Sequence, residues 1–251
     1  MKILHAGNKG FIFAFPLCSI THFQSHHNLV EANARMFKPQ TTLPRLWLFF
    51  FLLTACSLSA QDWEFKNEKE GVKVYYRQKA DIFELKLTAS IETSLSGIVQ
   101  LFNQVERYPQ WGYKIAESRL LEKISETECI YYTKFDFPWP LADRDVIMRS
   151  KLEQDPHSKV VTSVSTAEPW RLAEYADVVR IKDAHTRWVM HPNNSGWLYL
   201  EYFVYSDPGG GIPDWAVNMA IDVGPRETVK RIRDVLKEPA FRRIRLAHIK
   251  E

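Results

Sequence analysis

Two periodicities of apolar residues organise the chain from residue 61 onward. Alternation with a period of two predicts strands over 72–78, 83–91, 114–124, 128–137, 145–154, 159–167, 183–191 and 196–205. Polar turns separate these runs, and residues 192–196 carry the Pro, Asn and Gly residues typical of a hairpin turn. Short strands joined by hairpins predict an antiparallel sheet.

A first helix is predicted after the second of these strands. Ser94 suits its N-cap, because a serine side chain accepts a hydrogen bond from the first helical turn. Apolar residues at helical spacing run from Leu95 to Val105 and predict a buried face. Tyr108-Pro109 should end this helix.

A long helical stretch follows the last strand. Pro213 suits its first turn, and Trp215 and Met219 lie four residues apart on one face. Gly224-Pro225 interrupts the pattern, so we expect a kink or a new helix start there. The order of elements predicts an α+β fold, with helices on one face of a strongly curved antiparallel sheet and a cavity between the two layers.

The first sixty residues have a different character. Residues 47–53 read WLFFFLL, follow Arg45 and precede small residues, which is the pattern of a secretory signal. The run is too short for a membrane span of about 20 residues. Since a signal has only a short basic segment before its apolar run, we expect translation to start at Met36. Residues 1–35 are then a mis-annotated extension, and 36–60 are the signal peptide.

The end of this signal has two interpretations. Residues 53–56 (Leu-Thr-Ala-Cys) resemble the bacterial lipobox, in which the cysteine, here Cys56, is lipidated and anchors the protein to a membrane. Alternatively, cleavage follows Ala60 and releases a soluble protein. Both outcomes predict export to the periplasm or secretion. Both also leave Cys129 without a cysteine partner, and its apolar strand favours a buried small hydrophobe over a nucleophile.

Composition and charge narrow the function. The chain has 45% hydrophobic, 13% aromatic and 25% charged residues, which is globular composition. Its formal charge of +3 comes from residues 1–60, because the 33 basic and 30 acidic residues of the whole chain fall to 28 and 29 beyond them. A net charge of −1 argues against a nucleic-acid partner bound through a broad basic face.

Four segments resemble the START family of lipid-transfer domains, and they suggest a bacterial exported member. These are GVKVY at 71–75, YPQW at 108–111, FPWPLADRDV at 137–146 and DPGGGIPDWAVN at 207–218. They occur in the family's order over roughly 62–237. The chain departs from the family at Gly112, where Asp is frequent, and has little room before Gly71 for the long N-terminal helix of many members.

The resemblance implies a helix-grip fold, in which the sheet wraps around the long C-terminal helix and encloses a hydrophobic cavity for one lipid. The domain would span 61–238, with a basic C-terminal tail over 239–251. The segment 207–215, here called the hinge segment, would be the hinge of a lid formed by the C-terminal helix, since consecutive glycines permit unusual backbone angles. Its hinge residues are Gly209, Gly210, Gly211 and Pro213.

Strand alternation selects the side chains that should face this cavity. We predict ligand contacts at Tyr131, Phe135, Arg144, Val146, Met148, Trp188 and Met190 on the strands and at Trp215 and Met219 on the lid helix. In 197–205 both faces are apolar, so the inward face stays open. Arg144 has two interpretations, contact with a lipid phosphate inside the cavity or a structural ion pair at the strand end, and the second is favoured.

Signatures of catalysis are absent from the sequence. It has no Gly-x-Ser-x-Gly elbow and no phosphate loop ending in Gly-Lys-Ser/Thr. His185 and His191 lack a third nearby ligand, so we expect no metal and no cofactor. The basic tail around 241–246 is interpreted as a frayed, solvated end, with contact to an anionic membrane during lipid exchange as the alternative.

These patterns together predict a non-enzymatic, monomeric carrier of one lipid or other hydrophobic molecule, with transient membrane contact. Two alternatives use the same architecture. One is a cyclase or aromatase, which would need positioned acid–base groups in the cavity. The other is a regulatory module that senses a lipid without moving it, and fold alone does not separate these functions.

Overall fold

A computed structural model describes residues 63–79, 82–193 and 195–251, with side chains except at 78, 79, 82, 83 and 214. The predictions for 1–60, including the start at Met36, the signal peptide and lipidation of Cys56, lie outside these residues. Within the described ranges, no helix is long and apolar enough to span a bilayer.

Ten strands make one sheet in the described part of the chain. They are β1 (Glu64–Lys69), β2 (Val72–Lys79), β3 (Ile82–Glu92), β4 (Ile115–Lys123), β5 (Glu128–Phe135), β6 (Asp143–Gln154), β7 (Val161–Ala167), β8 (Val178–Arg180), β9 (Asp183–Pro192) and β10 (Trp197–Asp207). Their order is β1-β2-β3-β10-β9-β7-β6-β5-β4, and these neighbours pair antiparallel. β8 pairs in parallel with the start of β6. The eight predicted strands are confirmed with small changes of boundary.

Two strands are additions to the prediction, and each lacks the alternation that sequence patterns detect. β1 (EFKNEK) is polar and mostly exposed at the sheet edge. β8 has three residues, too few to show a period.

The helices are α1 (Leu95–Asn103), α2 (Tyr108–Trp111), α3 (Asp214–Asp222), α4 (Gly224–Val235) and α5 (Pro239–Arg242). Ser94 is the N-cap of α1, where its hydroxyl accepts a hydrogen bond from the Gly97 amide at 3.1 Å. The expectation that Tyr108-Pro109 ends a helix was wrong, because α1 stops at Asn103 and these residues begin α2. Proline is well tolerated there, since the first turn of a helix needs no amide from it.

The predicted interruption of the C-terminal helix is confirmed as a new start. α4 begins at Gly224, with Pro225 in its first turn. Pro213 occupies the N-cap of α3 and so stands one position before the first turn predicted for it. One face of α4 is fully buried through Val229 and Ile232, which pack with α1 against the sheet.

The C-terminal tail is docked on the domain, so the interpretation as a frayed end was wrong. Phe241 is fully buried and Ile249 nearly so. The Glu251 carboxylate accepts hydrogen bonds from the amides of Leu95 (2.9 Å) and Ser96 (3.0 Å). A carboxylate at this end of α1 satisfies otherwise unpaired amides and complements the helix dipole.

Residues 168–182, here called the back segment, cover part of the convex face of the sheet. Under them lie Ile130, Tyr132 and Ile147, a second small core. A buried ion pair fixes the segment, with Arg180 Nε and Nη2 donating to the two oxygens of Asp145 at 2.6 and 3.0 Å. The same guanidinium donates to three backbone carbonyls of the back segment, at Pro169, Leu172 and Ala173.

Removing Arg180 should therefore be strongly destabilising. Arg180→Leu leaves the buried Asp145 carboxylate without its partner, and we expect a loss of about 3–5 kcal/mol in the free energy of unfolding, measured by urea denaturation. The control is Arg171→Leu, because Arg171 lies in the same segment, its side chain is 37% exposed where it pairs with Glu168 and Glu122, and its loss should cost under about 1 kcal/mol. Similar losses in both variants would contradict this role of the buried pair.

Candidate functional site

A cavity of about 790 Å³ lies between the concave face of the sheet and the C-terminal helices. Its wall combines residues of strands β3 to β7, β9 and β10 with residues of α1, α2, α3, the N-terminal part of α4 and the hinge segment. Beside it, α1, α4 and α5 pack on the concave face through Ile98, Ile232 and Phe241, all fully buried. The helices therefore fill only part of the space above the sheet.

The wall is largely apolar and carries one band of small polar groups. Strand pairing places Cys129, Ser150, Ser165 and Thr186 side by side on four adjacent strands. All four line the cavity. Burial raises the pKa of the Cys129 thiol, so the thiol is neutral near pH 7 and a poor nucleophile. The band offers neutral hydrogen-bonding groups to whatever occupies the cavity.

Ionised side chains lie only at the margins of the described wall. Lys123, Glu126 and Glu128 belong to the β4–β5 turn, and Lys114, Asp136 and Asp207 lie near the hinge segment. Most are already engaged, for example Lys123 with Glu126 at 2.6 Å and Glu128 with Arg149 at 2.7 Å. The described residues also contain no cluster that could hold a metal ion. Among the described side chains, the interior thus lacks the paired acids and bases that general acid–base chemistry uses.

The hinge segment lines the cavity, and the end of the wall formed by this segment and the β5–β6 loop is here called the cavity mouth. Gly209 and Gly210 have φ of +65° and +68°, a region in which a Cβ atom would be strained. The Asp207 carboxylate accepts a hydrogen bond from the Gly209 amide at 2.9 Å. Gly211 is exposed and lies outside the left-handed region, so it does not share this constraint.

Comparison with known proteins identifies the family. A model described as START domain matches residues 52–240. The chain belongs to the START domain family. An uncharacterized protein of Pseudomonas aeruginosa is 27% identical over 181 residues, covering 71% of this chain and 89% of that protein. The phosphatidylcholine transfer protein of Bos taurus is 27% identical over 175 residues, covering 67% and 81%.

Solved structures agree on the fold. A STAR-related lipid transfer protein from Xanthomonas axonopodis matches with a TM-score of 0.64 and 26% identity, covering 70% of this chain and 99% of that one. Human STARD10 matches with a TM-score of 0.61 at 16% identity, covering 79% and 82%, and shows the fold alone. The predicted helix-grip architecture is confirmed for this START domain.

The START domain brings six of the nine predicted ligand contacts together in the cavity wall. They are Tyr131, Phe135, Val146, Met148, Trp188 and Met219. Burial raises the pKa of Tyr131 to about 12, so its hydroxyl stays neutral. Contact of these side chains with a ligand stays a prediction.

Met190 and Trp215 lie elsewhere. Met190 shares a strand face with Trp188, but it is 0% exposed and packed in the solid core. Trp215 is 47% exposed, because α3 faces the cavity with Ala216, Met219 and its neighbours rather than with the tryptophan. Parity placed Met190 on the correct face without showing where along the strand the cavity ends.

Arg144 is the third exception. Only 3% of it is exposed, but it lies behind the wall, with its guanidinium carbon 4.6 Å from the centre of the Phe137 ring. It donates to the carbonyls of Ala142 and Gly209. The favoured interpretation as a structural ion pair was wrong, because among the described residues no carboxylate bonds to it, and the strand-end ion pair belongs to Asp145.

Several wall residues were missed by the sequence patterns. Tyr202 and Val204 face inward, which settles the open parity of β10 and places Glu201 outside, paired with Lys86 at 2.8 Å. Trp111 also lines the cavity, and its buried Nε1 has no hydrogen-bond partner in the described structure. Pairing of β10 with both β3 and β9 decides this parity, and only the assembled sheet shows it.

Substitution of two methionines on the concave face tests which part of it is closely packed core and which part borders the cavity. Met190→Ala should lower the free energy of unfolding by about 2–5 kcal/mol, because it opens a void in close packing. Met148→Ala should cost clearly less, since Met148 already borders empty space. Urea denaturation of the two variants measures the difference, and equal losses would contradict this division of the concave face.

Proposed function

We propose that this protein carries one lipid molecule in its cavity and transfers it between membranes without chemical change. The observation that carries the proposal is the 790 Å³ cavity, whose interior is apolar apart from a neutral polar band. Its volume lies within the usual range for ligand sites, and burial of apolar ligand surface supplies the driving force.

The family supports the same proposal. Members similar to this chain are named phosphatidylcholine transfer protein and STAR-related lipid transfer protein. The absence of acid–base pairs from the described cavity interior favours a carrier over a cyclase or aromatase. We also propose that the protein works outside the cytoplasm, which is supported by the signal-like pattern of residues 36–60 and by Cys56 or Ala60 as its end.

Membrane contact is best supported at the cavity mouth. Pro138 lines the cavity, and its neighbour Trp139 is 91% exposed on the same β5–β6 loop. Tryptophan favours the interface between lipid and water, because its ring is apolar and its N–H is polar. We propose that this loop, rather than the docked tail, meets the bilayer first.

Native mass spectrometry tests the carrier directly. The protein is expressed from its full-length sequence, purified as the host processes it and sprayed under native conditions. We expect a mass increment of one lipid, which solvent extraction then identifies. A chain that stays empty after incubation with lipid vesicles would contradict the proposal.

The hinge glycines provide a kinetic test. Alanine at Gly209 or Gly210 strains the backbone by about 1–2 kcal/mol, so opening should be easier and release of a fluorescent lipid to acceptor vesicles about five- to thirtyfold faster. Gly211→Ala is the matched control, because no described heavy atom lies within 4 Å of its added Cβ. If all three variants release lipid at the wild-type rate, the hinge segment does not gate the cavity.

A further inference from the structure

In the part of the chain that the structure describes, the guanidinium of Arg144 is a buried cation without a counter-ion. Its two flanking acids are engaged elsewhere, Asp143 with Lys134 at 3.0 Å and Asp145 with Arg180. Among the described residues, no carboxylate oxygen lies within 4.0 Å of it. A buried charge in this condition is costly, because protein dipoles replace its lost hydration only in part.

Arg180, in the same sheet, is an arginine whose side-chain N–H groups all have hydrogen-bond partners. Its Nε and Nη2 grip both oxygens of Asp145 side-on, and three carbonyls accept its remaining hydrogens. Arg144 instead bonds to two neutral carbonyls, and its Nε has no partner. The side-on edge that Arg180 uses for a carboxylate is therefore free of any anion in Arg144.

This free edge lies at the cavity mouth. Phe137, against which the guanidinium stacks, lines the cavity on one side. Gly210 lines it on the other, and a Cβ at Gly210 would lie 3.7 Å from Arg144 Nη2. The cation thus lies beside two residues of the cavity wall without lining the cavity itself. The bond from Nη2 to the Gly209 carbonyl is long, at 3.3 Å, and so is easily exchanged.

We propose that Arg144 binds the phosphodiester of a lipid headgroup at the cavity mouth. Two phosphate oxygens accept from Nε and Nη2, in the bidentate geometry that arginine favours for phosphate. The incoming anion replaces the Gly209 carbonyl on Nη2, which frees the hinge segment to move. The proposal rests on the carrier function proposed above and adds a headgroup class and a release step to it.

Nearby acids set the selectivity of this site. Asp143 and Asp207 are close in sequence to the partners of Arg144, and each is held by its own donor, Lys134 or the Gly209 amide. They disfavour a second negative charge near the mouth. A phosphodiester carries a single negative charge and two free oxygens, so it matches the one unpaired cation.

Two short-chain lipids with the same acyl groups test the proposal. Dioctanoyl phosphatidylglycerol has the phosphodiester and dioctanoylglycerol lacks it. Both are titrated into delipidated protein, purified from the full-length gene, and bound fractions are read by native mass spectrometry. Glycerol 3-phosphate, titrated alone, reports whether the site takes a soluble phosphate without acyl chains.

Wild type should prefer phosphatidylglycerol by at least about tenfold, because a charged hydrogen-bonded pair adds at least this factor. Arg144→Gln should lose that preference and keep its affinity for dioctanoylglycerol. Arg144→Lys should lie between them, since it keeps the charge without the side-on pair. The control Lys151→Gln, an exposed residue on the outer face of the same strand, should match wild type.

Several results would overturn the site. One is an equal affinity of wild type for both lipids, which leaves the carrier function intact. Another is an equal loss of affinity for both lipids in Arg144→Gln, which indicates a structural role. A third is tight binding of glycerol 3-phosphate alone, which would show that the bound phosphate need not come from a lipid headgroup. If wild type binds neither lipid, both the proposed carrier function and this proposed site are refuted.

The conservative variant Arg144→Lys keeps the proposal testable if Arg144→Gln misfolds. If circular dichroism shows that Arg144→Gln does not fold, the test uses Arg144→Lys alone. The quantity compared with wild type is then the ratio of its affinities for dioctanoyl phosphatidylglycerol and dioctanoylglycerol. A ratio reduced several-fold supports the site, and an unchanged ratio refutes it.

Discussion

The concave face of a large antiparallel sheet must be covered, and the rest of this domain depends on how that is done. Alternate residues of each strand point to this face, where apolar side chains leave water. α1, α4 and α5 complete a solid core over one part of it. Over the remainder, α2, α3, the N-terminal part of α4 and the hinge segment border a cavity of about 790 Å³. The sheet therefore forms one side of the hydrophobic core and also one wall of the cavity.

Charge is handled differently on the two faces of this sheet. On the convex face, Asp145 and Arg180 neutralise each other and tie the back segment to β6 with a full set of hydrogen bonds. On the concave face, the preceding residue, Arg144, is just as deeply buried, and among the described residues its hydrogen bonds go only to carbonyls. Successive strand residues point to opposite faces, so this contrast follows from the sheet geometry. It places a cation that has no carboxylate partner among the described residues between Phe137 of the β5–β6 loop and Gly209 of the hinge segment.

Local patterns predicted most elements because their signals are local. Alternation located eight strands, and a serine before an apolar stripe located the start of α1. Where the signal was non-local the predictions failed or stayed open. Three-residue β8 exists because residues 178–180 reach the start of β6, and the tail is ordered because Glu251 meets the amide end of α1. Such partners are far apart in the sequence, so no window of neighbouring residues contains them.

The sequence by itself determined the fold class, the family resemblance and the inward face of most strands, because period and motif are properties of neighbouring residues. Only the tertiary structure decided where the cavity stops, since Trp188 and Met190 share one face yet one borders space and the other is enclosed. It also decided which arginine of the strand-end region is neutralised. Packing and charge compensation depend on contacts between elements that are distant in the sequence and come together only in the folded domain. A pattern of neighbouring residues contains no information on those contacts.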